Sequence, residues 1–382
     1  MIIGVGGAGA RIAKMMMDVS ALDTMLISSN ANDLSMMERV EDDKSRSNDY
    51  ACILDTSCIA KRSPRIKKVL LNTGVLNPSP YTIRGSLLAY ERSICNELIG
   101  YNTFIMVANL AGRNGVAIAP LLADMIKANN SNVRLITFAI MPFGFENDRL
   151  FRAGVALKKL SEMSDCTIVV DNDSFLTNNP DLSIERCYKI VNSMILAVFK
   201  IMTMNGEVKG LNMLSAGRDD DSINVIVRDA LRMLYSNTKP DKVKSALLYL
   251  VDRSTEGISI GLIDSLSKCM RSILGDHKDH VMVKVSIMRG GGYGKGKDDG
   301  ENDVHMERVS SSNDRVVTGG MIGIGAHDNN AYSAILLAEV TGIHKFDSYD
   351  PLSILPRECM LDWECSEAEI RLESLTALPN LE

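Results

Sequence analysis

An α/β fold built on a parallel sheet, followed by a smaller α+β region, is what this sequence predicts, on three observations. Up to about residue 170, short β-rich apolar runs alternate with helical patterns, the signature of parallel βαβ units. A glycine-rich turn, Gly4-Val5-Gly6-Gly7-Ala8-Gly9, separates the first strand from the first helix. Beyond residue 184 the pattern changes to one long amphipathic helix and then to strand, helix and strand. With 382 residues, 46% of them hydrophobic, the chain buries a substantial core and suits two domains better than one.

Taken in order, the strands of the first part are expected at residues 2–5, 25–28, 51–54, 104–108, 135–140 and 167–170, with helices between them. The basic cluster Lys61, Arg62, Arg65, Lys67 and Lys68 reads as a solvated helix face. From Ile184 to about Met204, Val191, Met194, Ile195, Val198 and Ile201 recur at spacings of three and four, so one helix connects the two parts. A helix at 223–234, a strand at 246–252, a helix at 258–272 and a strand at 281–288 follow. Residues 290–303, rich in Gly, Lys and Asp, read as a loop. The resulting map is an α/β domain at 1–183, a central helix at 184–206, an α+β domain at 207–290, a loop at 291–303, the rest of that domain at 304–350 and a tail at 351–382.

Composition removes several classes of function. No apolar stretch approaches the roughly 20 residues a membrane helix needs. Met1 leads straight into a strand-like run, without the basic and apolar segments of a secretory signal, so a cytoplasmic location is expected. The eight cysteines lack CxxC spacing and read as reduced thiols, with no zinc site. A formal net charge of −6 argues against nucleic acid as the main partner.

The glycine turn is the first motif with chemistry. Glycines let the backbone approach a phosphate, and free N–H groups at the positive end of a helix favour an anion there. The spacing also satisfies GxGxxG, which admits an NAD(P)-dependent oxidoreductase. Such an enzyme needs an acid at the tip of its second strand for the ribose hydroxyls, whereas this strand ends in Ser28, Ser29 and Asn30.

Four further segments, in order, resemble the tubulin/FtsZ family. Ile27-Ser28-Ser29-Asn30-Ala31-Asn32-Asp33-Leu34 is similar to the family's AVNTDAQAL. Ala111-Gly112-Arg113-Asn114-Gly115-Val116-Ala117-Ile118-Ala119-Pro120 falls on its GGGTGTGAAP signature and keeps two of five glycines. Met141-Pro142-Phe143-Gly144-Phe145-Glu146-Asn147-Asp148-Arg149 resembles KPFxFEGxxR, one residue shorter, and Asp171-Asn172-Asp173 resembles the end of IPND. The resemblance implies a Rossmann-like parallel-sheet GTPase domain joined by a long central helix to a smaller α+β domain. It also implies GTP or GDP as ligand, with Mg2+ as an accompanying ion, and head-to-tail self-assembly into cytoskeletal filaments serving cell division or shape. By that resemblance Gly6, Gly7, Ala8, Asn30, Gly112, Arg113, Asn114 and Gly115 bind the nucleotide, the glycine loops at its phosphates. Glu146 and Arg149 approach the ribose, Asn172 the sugar or base, and Glu185 the base. For Glu146 with Arg149 a surface salt bridge is the alternative, and for Glu185 a favourable charge at a helix start. The tail around Trp363 is either an adaptor-binding peptide or a loosely packed terminus.

Departures from the family raise two questions. Arg113 stands where the family has glycine, and either grips a phosphate in place of lost amide donors or fills the pocket; a buried arginine without an anion would be costly. In the family, a loop like GLxNxDFADV from one subunit completes the next subunit's site, its acids positioning the attacking water. Gly210 to Arg218 is the best match here, with Leu214 and Gly217 where the acids should stand. Asp219, Asp220 and Asp221 follow at once. They are either displaced catalytic acids, contacting water or magnesium, or a solvated turn capping the next helix. An altered or slow GTPase and a scaffold without turnover therefore both remain open.

Overall fold

The computed structural model describes residues 1–35, 64–178, 182–205, 208–220, 223–252, 259–274, 281–282 and 332–347. The first elements are β1 (Ile2–Val5), α1 (Gly6–Ser20), β2 (Thr24–Ser28), α2 (Ala31–Ser35), β3 (Ile66–Leu70), α3 (Pro80–Ala89) and α4 (Glu91–Leu98). Next come β4 (Thr103–Asn109), α5 (Arg113–Asn129), β5 (Arg134–Met141), α6 (Asn147–Met163), β6 (Cys166–Asp171), α7 (Asn172–Asn178) and α8 (Ile184–Asn205). The remainder is β7 (Gly210–Asp220), α9 (Ile223–Asn237), β8 (Val243–Asp252), α10 (Ile260–Leu274), β9 (Val281–Met282), β10 (Tyr332–Val340) and α11 (His344–Asp347).

All ten of these strands share one sheet, in the order β3-β2-β1-β4-β5-β6-β7-β10-β8-β9. From β3 to β7 every pairing is parallel, while β10 runs antiparallel to both β7 and β8. The near-continuous apolar strands follow from helices covering both faces. In β1, Ile2 joins one buried cluster with Ile12 and Met16 of α1 and Val191 and Ile195 of α8. Its neighbour Ile3 faces the other cluster, with Ile83 of α3, Ile94 of α4, Val116 of α5 and Leu160 of α6. The fold is thus α/β and mostly parallel, as expected. Among the described residues no helix is long and apolar enough to cross a membrane.

Two expectations need correction. Residues 66–70, read as part of a solvated helix face, form β3, which pairs with β2 from Thr24↔Ile66 to Ser28↔Leu70. Only Val69 of that strand is buried, and the nearby Arg65 and Lys67 both bind Glu97 at 2.8 Å. Among the described residues β3 ends the sheet, a position where lysines are common because they discourage further strand pairing. The strand expected at 51–54, the loop at 290–303 and the tail from 351 lie outside the described residues, as does most of the strand expected at 281–288.

The second correction carries more weight. The stretch Gly210 to Arg218, read as a subunit-completing loop, belongs to β7, in the interior of the sheet between β6 and β10. Residues 212 to 215 are buried, and a Cβ on Gly217 would lie 2.0 Å from the Ile226 carbonyl oxygen of α9. Gly217 is therefore where helix and sheet meet most closely, and Leu214 is core.

Candidate functional site at the carboxyl edge of the sheet

β1 and β4 are neighbours, yet β1 feeds α1 on one face of the sheet and β4 feeds α5 on the other. That arrangement is a topological switch point, where an open α/β sheet leaves a crevice beyond its carboxyl ends. Both glycine motifs open into it. Gly6 has φ +67°, a conformation closed to most side chains, and a Cβ there would sit 3.0 Å from Asn114 Cβ. At Gly115 a Cβ would stand 1.9 Å from the Asn109 carbonyl oxygen, so α5 can start only where a glycine occupies this position.

Serine and asparagine side chains tie the two turns together. Ser28 Oγ donates to Asp33 Oδ2 at 2.6 Å and accepts from Asn114 Nδ2 at 3.0 Å. Asn114 Oδ1 accepts from Ser29 Oγ at 2.7 Å and from the Ser29 amide at 3.2 Å. Asn114 thus braces the loop after β2. Asn30, expected at the nucleotide, uses its Oδ1 to accept the Asn32 amide at 3.0 Å and shapes the start of α2. Sequence reasoning passed over Asp33 as a functional residue. Its Oδ1 lies 2.5 Å from where a Gly7 Cβ would be, so a carboxylate faces the glycine turn.

The electrostatics at the two helix starts agree. Val5 caps α1 and Gly112 caps α5 without a side-chain hydrogen bond, and neither first turn holds an acid. The leading amides of both helices therefore have no capping side chain, and their partial positive charges converge on the crevice. Arg113, the first residue of α5, adds a cation at an end where a helix disfavours one, and it is exposed. The burial cost invoked from the sequence does not arise, because the side chain is not enclosed. Two uncapped helix starts and an exposed arginine favour a polyphosphate, whereas the Asp33 carboxylate facing Gly7 opposes one until a cation stands between them.

Further along the same edge, at the ends of β5 and β6, stand the other expected residues. Glu146 Oε1 pairs with Arg149 at 2.5 Å, and its Oε2 accepts the Phe143 amide at 3.1 Å, so these two form a local ion pair. Asn172, first in α7, is 1% exposed, and its Oδ1 has no hydrogen-bond partner among the described residues. Cys187 of α8 packs against it with Sγ 3.8 Å from the Asn172 carbonyl oxygen. Burial, reinforced by the charge of Asp171, pushes that thiol up to about 11 and keeps it protonated. Glu185 is exposed in the first turn of α8. Phe145 and Tyr188, which sequence reasoning also passed over, both pack on Phe143, at centroid distances of 5.1 and 5.6 Å. Successive strands stand roughly 4.8 Å apart, so Asn172 lies about 14 Å across the sheet from the glycine turn of β1.

Asp219 and Asp220 do not join this arrangement. As the last residues of β7, parallel to β6, they lie at the carboxyl edge of the sheet. Laterally their strand is three strands from β4, about 14 Å. Asp221 lies outside the described residues.

Residues 1–180 match the model of the Tubulin/FtsZ family, GTPase domain. Over that region the chain resembles proteins of the tubulin/FtsZ family. It is 24% identical over 250 residues to cell division protein FtsZ 1 of Pyrococcus horikoshii, a match spanning 64% of this chain and 60% of that protein. With the tubulin-like protein CetZ of Pyrococcus abyssi it shares 22% identity over 288 residues, 74% of this chain and 73% of the other. Among solved structures, CetZ from Methanosaeta thermophila superposes with a TM-score of 0.59 at 16% identity, over 98% of this chain and 94% of that one. A GTPγS-bound protofilament of CetZ2 from Haloferax volcanii gives 0.56 at 13% identity, over 96% and 98%. Likeness to these structures is a likeness of fold.

Proposed function

We propose that this tubulin/FtsZ-like chain binds GTP and GDP at the switch point and assembles head-to-tail into filaments, with slow or altered GTP hydrolysis. The observation that carries the reading is the convergence of two uncapped, acid-free helix starts on a glycine-lined crevice with Arg113 beside it. In this reading the amides of Gly6, Gly7 and Ala8 and of Arg113, Asn114 and Gly115 donate to phosphate oxygens, and Arg113 supplies the charge. Asn172 Oδ1, buried without a partner among the described residues, accepts from the sugar or base. Glu146, Arg149 and Glu185 sit along the same edge. Asp33, facing the glycine turn, favours a divalent cation with the phosphates, since the cation offsets the carboxylate charge. Filament assembly is supported by the family and by the protofilament described for the Haloferax protein.

A second reading, a scaffold that binds nucleotide without turning it over, is favoured by the inclusion of residues 210–220 in the sheet. With α8 ending at Asn205 and β7 beginning at Gly210, only residues 206–209 separate the central helix from the sheet. Titrating GTP and GDP with magnesium by calorimetry, beside sedimentation with and without GTP, tests the first reading. No nucleotide uptake overturns both, and uptake without sedimentation overturns the filament. Turnover separates the two readings.

A further inference from the structure

Behind Asn172 lies a charge cluster that the nucleotide reading leaves unused. Asp171, the last residue of β6, is fully buried, and its Oδ2 accepts Lys345 Nζ of α11 at 2.6 Å. The same oxygen accepts the Ser174 hydroxyl, and the Ser174 amide at 3.2 Å. Asp173, on the other side of Asn172, accepts Lys345 Nζ at 3.0 Å with one oxygen and the Gly144 amide at 3.0 Å with the other. The polar chain continues inward, with Asn237 Nδ2 of α9 donating to Ser174 Oγ at 2.8 Å. One ammonium, 174 residues along the chain from Asp171, thus holds both carboxylates that flank Asn172 and, through Asp173, the loop carrying Phe145 and Glu146.

We propose that Lys345 is a positioning residue of the nucleotide edge: by bridging Asp171 and Asp173 it sets Asn172 and the loop from Gly144 to Glu146, and so links β10 and α11 to nucleotide occupancy. The proposal rests on the reading of Asn172 as a nucleotide contact. Its physical basis is that a buried carboxylate left without its cation moves toward another partner or toward water, and that movement shifts the peptide that begins α7. Linkage makes the effect reciprocal: a ligand that needs Asn172 in place tightens the hold of Lys345, and an event that displaces α11 weakens the ligand. Lys345 is about one-fifth exposed, within reach of solvent and of whatever contacts α11.

Three variants test this: Lys345→Arg, which keeps the charge, Lys345→Met, which removes it, and Asp173→Ala, which cuts only the more exposed half of the bridge. Two quantities are read, the dissociation constant for GDP with magnesium and peptide-level hydrogen exchange without nucleotide. Lys345→Met should weaken GDP binding about tenfold or more and speed exchange in 143–146 and 172–175, while Lys345→Arg stays within about threefold. Binding like the parent, or faster exchange confined to 344–347, overturns the proposal. Should Lys345→Met fail to fold, Asp173→Ala decides: weaker binding with faster exchange in 143–146 supports the bridge, and no change in either overturns it. Should the parent protein take up no GDP, the nucleotide reading falls by itself, and the exchange pattern alone judges whether Lys345 positions these segments.

Discussion

Two stretches of this chain look like pieces of one nucleotide machine when spelled out, yet fold in opposite ways. The turns at Gly6 and Gly112–Gly115 start helices at a switch point; the Gly210–Asp220 stretch, similar to a catalytic loop in its opening letters, is a strand in the sheet interior. The difference is steric. In the first stretch, glycines stand where a positive φ or a carbonyl 1.9 Å away demands them. In the second, Gly217 answers a packing demand from α9, and Met213 and Leu214 are core. A glycine or a short motif thus carries function only in the strand-turn-helix context that gives its backbone something to bind.

The largest effect expected on either side is at Gly115. Gly115→Ala drives a methyl into the Asn109 carbonyl and should cost about 3 kcal/mol or more, since backbone cannot step aside. Gly112→Ala, with its nearest atom at 3.5 Å, should cost less than about 1 kcal/mol. Chemical denaturation of both variants checks the pair, and equal losses would mean that the tight approach does not set the start of α5. Next comes Arg113→Ala, which should weaken GTP binding about tenfold, the usual worth of one charge-assisted contact. Unchanged or tighter binding would identify the arginine as an obstruction.

A smaller effect is expected away from both stretches. Burial opposes the charge on Asp165, but hydrogen bonds from Lys127 Nζ and the Leu135 amide outweigh it and hold the carboxyl below its usual range. A depressed folded-state value contributes stability above the unfolded pKa, near 3.9, that is lost as pH falls through the folded one. Lys127→Met should therefore raise the midpoint of acid unfolding, by only a few tenths of a pH unit because the pair is partly exposed. The smallest effect belongs to the second stretch: changing Asp219, Asp220 and Asp221 to Asn should leave turnover, whatever its level, within about twofold of the parent. Abolished turnover would restore those acids to the site.

Much of the fold was legible because its strands are short apolar runs punctuated by glycine turns; five of the six expected in the first half match observed strands to within a residue or two. β3 was missed because its lysines read as surface charge when pairing partners are invisible. The glycine turns, Arg113 and Asn172 were legible through local motifs. Asp33, Asn114's bracing of Ser28 and Ser29, and Lys345 were not, since each acts through a partner that only the fold brings near. The β7 error had a local cue: apolar Leu211, Met213 and Leu214 among small residues suit a strand interior better than a solvent-facing loop.

In the proposed function this chain holds guanine nucleotide at the β1–β4 switch point, and β7 takes no part in hydrolysis in a neighbour. It is tested most directly by measuring GTP binding and GTP turnover per subunit on the same protein across a wide concentration range. Saturable binding, with turnover per subunit flat through the concentration at which sedimentation begins, is the result expected. No binding, or turnover that climbs cooperatively as subunits assemble and vanishes when Asp219 to Asp221 are replaced by Asn, would contradict it.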